Sequence, residues 1–335
     1  MTKRLGVIGT FVWDTIHGRE PHARPVEEWG GITYALAALD AALDDDWEIV
    51  PLMKVGSDLA QAAREFSAQL THLAPDAALV EVPYPNNRVE LRYETSERRC
   101  EKLTGGLPGW TWLGLKPLLH DLDALYINFM SGWELDLETA HLLRQHFKGP
   151  IYCDLHMLVM AVQPDGWRAL RPLPNVAEWC RCFDLLQMNE DEVTAAAPDP
   201  MALAATALAN GVRALFVTLG PKGAVYFGAP RFDALADLSR APRVERAGAG
   251  SGPIRTERVA VDAWRQEGDT TGCGDVWGAT CFSRLLHGDS LRDAMHAAHR
   301  AAARATSSSR SRPSRAATMC TRSWAASSRK RTRSS

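Results

Sequence analysis

Residues 268–282 read GDTTGCGDVWGATCF, a glycine-flanked turn that runs into an apolar helical stretch, with Asp275 just inside the helix start. A helix opened in this way leaves backbone N–H groups without intrahelical partners, and its dipole adds partial positive charge at the same point. Such a spot favours an anion. Gly272 and Gly274 allow close backbone approach, and Cys273 is the only side chain between them. The N–H groups of Gly272, Cys273 and Gly274 can therefore cradle phosphate oxygens as charge redistributes during transfer. A carboxylate beside an anion site is electrostatically awkward, which makes Asp275 a candidate base for an attacking hydroxyl. On the residues alone, an acid that merely complements the helix dipole is an equal alternative.

Outward from this stretch, short β-rich runs alternate with helical ones, the pattern of βα units around a mainly parallel sheet. RLGVIGTFVWD (4–14) reads as the first strand and GGITYALAALDAAL (30–43) as the first helix. WEIVPLMKVG (47–56) is a second strand and DLAQAAREFSAQL (58–70) a second helix. Further strands are expected at ALVEVPY, ALYINFM, PIYCDL, FDLLQMN and ALFVTLG, each ending in polar residues or glycine. Ligands of open α/β sheets bind outside the carboxyl ends of the strands, so those endings matter. Residues 86–104 alternate polar and apolar, as exposed antiparallel strands do, whether in a lid, an oligomer surface or an ordinary hairpin. From 239 to 268 the chain reads as loop, and two helices follow, DVWGATCFSRLLHG and SLRDAMHAAHRAAARA.

The chain has 335 residues and a net charge of −2, with 46% hydrophobic residues, so it can bury a full-sized core. No apolar run is long enough to span a membrane. The seven cysteines are odd in number and scattered, which points to reduced thiols in a cytoplasm rather than a disulfide framework. The small net charge hides an asymmetry. Residues 305–335 carry eight Lys/Arg and ten Ser but no acid, whereas residues 1–304 are near −10. We expect a folded unit over 1–304 and a disordered Ser/Arg-rich tail over 305–335. The abrupt loss of acids after Asp293 suggests a reading-frame shift near Ala305 in preference to a basic arm for nucleic acid.

DTTGCGD (269–275) closely resembles the D-T-x-G-x-G-D signature of the ribokinase, or pfkB, carbohydrate kinase family. Three more pieces occur in the family's order: WGGITYALAAL (29–39) resembles its Gly-Gly motif, MNEDE (188–192) its N-x-x-E element, and VTLGPKGA (217–224) its T-x-G-x-x-G turn. The resemblance implies a three-layer α/β/α ribokinase-like fold with a small β lid, drawn here from residues near 12–20 and 86–104. It implies ATP as phosphoryl donor, Asp275 as general base, and Gly272, Cys273 and Gly274 as an anion hole. Asn189 and Glu192 would order Mg²⁺ and the phosphates, the ion being met by Glu192 through water. Thr218, Gly220 and Gly223 would line the nucleotide. Asp269 and Thr271 would serve a monovalent cation such as K⁺. Asp14, Gly30, Gly31, Ser131 and Gly132 would form the acceptor side, and a homodimer through the lid is expected.

Two positions depart from the family. Ala35 replaces the usual substrate-contacting asparagine of the Gly-Gly motif, so a common hexose or ribose does not follow. Cys273 replaces an alanine, where only the backbone is needed. The resemblance thus supports a sugar-like acceptor, with two alternatives. One is a nucleoside acceptor, its base stacked on Trp13, Phe129 or Trp133. The other is a nucleotide-binding relative with little turnover. His156, near the same rim, reads as a structural histidine.

Overall fold

The apolar runs become the middle of a large sheet. The computed structural model describes residues 2–17, 24–93, 99–197, 199–238, 253–261 and 270–308. The sheet comprises β1 (Lys3–Ile8), β4 (Trp47–Leu52), β9 (Ala124–Asn128), β10 (Ile151–Asp154), β13 (Leu185–Asn189), β14 (Ala214–Thr218), β15 (Ala224–Gly228) and β16 (Arg255–Val259). Their order is β16-β15-β14-β13-β10-β9-β1-β4. All neighbours from β14 to β4 run parallel, and β15 and β16 are added antiparallel.

The central strands ALYIN and IYCD are buried along their whole length, because both faces of the sheet are covered. Alternation decides only which layer each side chain meets. Tyr126, Tyr152 and Phe216 share a core with residues of α1 (Ile32–Ala42), α8 (Cys273–His287) and α9 (Leu291–Ser308). Ile127, Cys153 and Leu186 share the opposite core with α4 (Leu137–His146), α5 (Val176–Cys180) and α7 (Pro200–Ala209). The remaining described α-helices are α2 (Ala60–Ser67), α3 (Trp112–Leu115) and α6 (Glu190–Ala196). The fold is therefore the expected α/β/α sandwich on a mainly parallel sheet.

A second sheet forms the lid: β3 (Val26–Gly31), β2 (Phe11–His17), β7 (Arg88–Tyr93) and β8 (Arg99–Thr104), in that order. Its register aligns Asp14 with Val89 and Leu91 with Glu101, so these side chains share one face. Parts of the expected lid, 18–20 and 94–98, lie outside the described residues, as does the tail from 309 onward.

Several boundaries differ from the sequence reading. The first strand is two strands, since the chain leaves the main sheet after Ile8 and β2 enters the lid. Gly30 and Gly31 end lid strand β3, where they pair with Val12 and Phe11, and Gly31 is at the same time the N-cap of α1. The second strand also divides: β5 (Lys54–Gly56) leaves the main sheet to pair with β6 (Val80–Val82), which was expected as a core strand. Within the expected loop, β16 pairs with β15 and closes the sheet. A hairpin of β11 (Met160–Val162) and β12 (Arg168–Leu170) was not foreseen. Finally, α9 runs three residues past Ala305.

One buried ion pair ties a helix to the sheet. Arg144 on α4 reaches Asp184 at 2.6 Å, and Asp184 also accepts from the Ile151 N–H at 2.9 Å. Deleting one member of a buried pair strands the other, so Asp184→Ala should destabilise the fold by about 3–5 kcal/mol, read from chemical denaturation.

Candidate active site

The inner face of the lid and the carboxyl ends of the strands enclose a cavity. Val12, Asp14, Val89, Leu91 and Glu101 line it from the lid. Thr271, Gly272 and Asp275 line it from the start of α8, and Tyr34, Met130, His156, Met157 and Arg168 from around the rim.

Asp275 sits in the first turn of α8, where Gly272 is the N-cap in the left-handed conformation at φ 76°. A Cβ at Gly272 would lie 2.4 Å from the Tyr34 ring, so close packing and backbone conformation both demand glycine there. Two amide side chains from strands on either side of β10 fix this helix start. Asn128, at the end of β9, donates Nδ2–H to Asp275 Oδ1 at 2.8 Å. Gln187, on β13, donates to the Gly274 carbonyl at 3.1 Å and accepts from the Tyr152 hydroxyl at 2.7 Å. One Asp275 oxygen is thereby oriented by an amide while the residue lines the cavity.

On the acceptor side, Asp14 and Gly30 belong together. A Cβ at Gly30 would fall 1.8 Å from Asp14 Oδ2, so only glycine admits this carboxylate. Gly31 lines the cavity and caps α1. Ser131 and Gly132 do not line it. The Ser131 hydroxyl accepts from Asn87 at 2.7 Å, and both backbone N–H groups donate to the buried Glu134 carboxylate, which places them behind the wall. The three aromatic residues considered for base stacking do not line it either. Trp13 packs edge-on to Trp29, Phe129 packs edge-on to Trp179, and Trp133 donates to the Leu107 carbonyl.

Residues 155–317 match the family model described as pfkB family carbohydrate kinase. That stretch matches a pfkB-type carbohydrate kinase domain, and the fold of the chain is that of ribokinase. The nucleoside kinase of Burkholderia thailandensis, solved with inosine, is similar over 95% of this chain and 94% of its own, at 14% identity and a TM-score of 0.69. A pyrophosphate-dependent kinase in the ribokinase family, solved with a pyrophosphate analog and myo-inositol, covers 91% and 95% at 14% identity and 0.66. Thermotoga maritima ribokinase covers 97% and 99% at 16% identity and 0.63. No curated protein matches the chain by sequence.

In this pfkB-type domain the N-x-x-E element forms a capping box on α6. Asn189 Oδ1 accepts from the Glu192 N–H, and Glu192 Oε2 accepts from the Asn189 N–H, both at 2.8 Å. Glu192 Oε1 accepts from Asn189 Nδ2 at 2.8 Å and faces His156 Nδ1 at 3.0 Å. Both carboxylate oxygens are therefore hydrogen-bonded. A divalent ion here would be met through its own waters, which fits the behaviour of Mg²⁺. Thr218 ends β14 beside Asn189, and the turn through Gly220 and Gly223 leads into β15. Asp269 lies outside the described residues.

His156 is the histidine the sequence reading set aside, and it joins the two halves of the site. It lines the cavity with Asp275 while holding Glu192, and an atom each of Asp154, His156 and Glu192 lie within 4.8 Å of one another. Burial works against its charged ring. The Glu192 hydrogen bond and the charges of Glu192, Asp154 and Asp275 outweigh that, pushing it up to about 10. Burial pushes the Asp154 carboxyl well up; His156 opposes this, and the charges of Glu192 and Asp275 add to it. Both groups therefore bind protons more tightly folded than unfolded. The His156 contribution is complete below pH 6.5 and is lost as pH rises through about 10. The wild-type unfolding midpoint should fall over that window in metal-free buffer, and His156→Gln should flatten the fall.

Proposed function

We propose that this protein is an ATP-dependent kinase that phosphorylates a hydroxyl or hydroxymethyl group of a sugar-like small molecule. One juxtaposition carries the reading: Asp275, at the start of α8 and oriented by Asn128, lines the same cavity as Asp14. The acceptor hydroxyl gives its proton to Asp275 while its oxygen attacks the terminal phosphorus of the donor in line. The bond to the leaving phosphate breaks, and the N–H groups of Gly272, Cys273 and Gly274 meet the charge growing on the transferred oxygens. The lid keeps water from the donor.

Thr218, Gly220 and Gly223 would line the nucleotide, and Asn189 and Glu192 would hold Mg²⁺ through water. When bound, the ion neutralises phosphate charge. Thr271 and Asp269 would serve a monovalent cation. Trp13, Phe129 and Trp133 lend no support to a nucleoside acceptor, since the rings that line the cavity are those of Tyr34 and His156. The buried thiols Cys153, Cys180, Cys182 and Cys281 agree with a reducing compartment, and no described helix is long and apolar enough to cross a membrane. The lid is the proposed dimer surface.

The test is acceptor-dependent release of ADP from ATP, or of orthophosphate from pyrophosphate as a second donor, across a panel of uncharged sugars, cyclitols, sugar acids and nucleosides. Acceptor-dependent turnover is expected. Donor binding without turnover on any acceptor would favour a non-catalytic relative.

A further inference from the structure

Arg168 is a buried cation that none of the four sequence motifs contains. It sits on β12, whose hairpin meets the lid where the Leu103 N–H donates to the Gly166 carbonyl at 2.9 Å. Its side chain is 1% exposed. Nη1 stands 3.5 Å from Glu101 Oε2, Nη2 donates to the Met130 carbonyl at 3.0 Å and lies 3.5 Å from that of Ser131, and Nε has no partner among the described residues. A tight guanidinium–carboxylate contact closes to about 2.7–2.9 Å, so this guanidinium is enclosed but incompletely bonded. Such a state is costly unless a ligand completes it.

Asp14 and Glu101 are also buried, at 5% and 7% exposure, and face the cavity from aligned lid strands. The walls between them are aliphatic, from Val12, Val89, Leu91 and Met130. Among the described residues that line the cavity, three are acids, Asp14, Glu101 and Asp275, and two are basic, Arg168 and His156. An acceptor bearing a carboxylate or phosphate would meet Asp14 and Glu101 at low dielectric. A hydroxyl avoids that conflict, since it donates to a carboxylate and still accepts from a guanidinium.

We infer that Arg168 is a specificity-determining residue of the acceptor cavity: it donates to an oxygen of an uncharged vicinal diol whose hydroxyls donate to Asp14 and Glu101, and the three together exclude sugar acids. The inference rests on the kinase reading of the same cavity. The diol could belong to a free sugar, a cyclitol or the ribose of a nucleoside, so each is an arm of the test.

Matched pairs, an aldose and its aldonate or a hexose and its uronate, are compared by thermal shift and by turnover with ATP. The wild type should bind the uncharged member at least tenfold more tightly. Arg168→Gln should raise the acceptor KM at least tenfold and leave the ATP KM unchanged. Glu101→Gln should gain binding of the acid, because it frees Arg168 to pair with the ligand's carboxylate. A purely structural role for either residue yields no such gain, and Arg168→Lys replaces Arg168→Gln if the latter does not fold. The inference is overturned by a wild type that binds the acid as tightly as its uncharged partner, by an unchanged acceptor KM in Arg168→Gln, or by no gain in Glu101→Gln. If no diol binds at all, it also fails. If uncharged diols bind with these preferences but neither ATP nor pyrophosphate is turned over, the kinase reading falls and the specificity inference stands.

Discussion

Asp275→Asn should lower kcat by roughly 10²- to 10⁴-fold, the usual loss when a positioned base is removed, while the affinity for donor changes little. Asparagine has nearly the same shape and can still accept from Asn128 through its amide oxygen, so the start of α8 keeps its anchor. What disappears is the ability to take the proton of the acceptor hydroxyl. Steady-state kinetics alongside donor binding by calorimetry separates the two quantities. Near-normal kcat in the variant would return Asp275 to the role of a dipole-complementing helix residue.

Gly272→Ala should be nearly as damaging, for a different reason. A residue with a Cβ pays a strain of about 1 kcal/mol in the left-handed region. The added methyl also lands 2.4 Å from Tyr34, whose hydroxyl donates to Glu28 at 3.3 Å and so resists displacement. Either the ring or the turn must move. A turn shifted by 1 Å misaligns the N–H groups against the transferred oxygens, an error of roughly 10²-fold in rate. We expect kcat to fall by about that factor with a stability loss of about 1–3 kcal/mol. The double variant Tyr34→Ala, Gly272→Ala should recover part of the rate, because the clash is gone and only the backbone strain remains.

The parts of the site that the sequence made legible are those whose chemistry is local. The turn at 272–275 and the capping box at 189–192 are each built by neighbours in the chain, so their motifs could be matched to the family, although residue type and spacing alone left a dipole-complementing acid as an equal reading of Asp275. Asp14 and Gly30 were also readable as candidates, although their fit depends on the pairing of β2 with β3. The residues that were missed act at a distance. Asn128 lies 147 positions from Asp275, and strand order alone brings them together. A signal did exist: Asn128 is the polar residue that ends the apolar run ALYIN, at the sheet edge where ligands bind. Glu101 had a signal too, since it lies in phase with buried Leu103 on β8 and so occupies an inward position. Arg168 had none, because nothing local marks its hairpin as part of a wall.

Ser131 and Gly132 show the converse. Their place at a strand end was read correctly, but the Glu134 carboxylate turns their N–H groups inward and away from the cavity. The break after Ile8 was equally hidden, because the run through Gly9 stays apolar while the chain changes sheets.

The central claim is that Asp275 and the α8 turn transfer a phosphoryl group to an acceptor bound under the lid. The most direct measurement is ³¹P NMR of the protein with ATP, Mg²⁺ and the best-binding uncharged polyol. The account predicts loss of the γ-phosphate signal matched by a growing phosphomonoester, with no such ester in Asp275→Asn. ATP that stays intact while the polyol is bound, or that yields only inorganic phosphate, would contradict it.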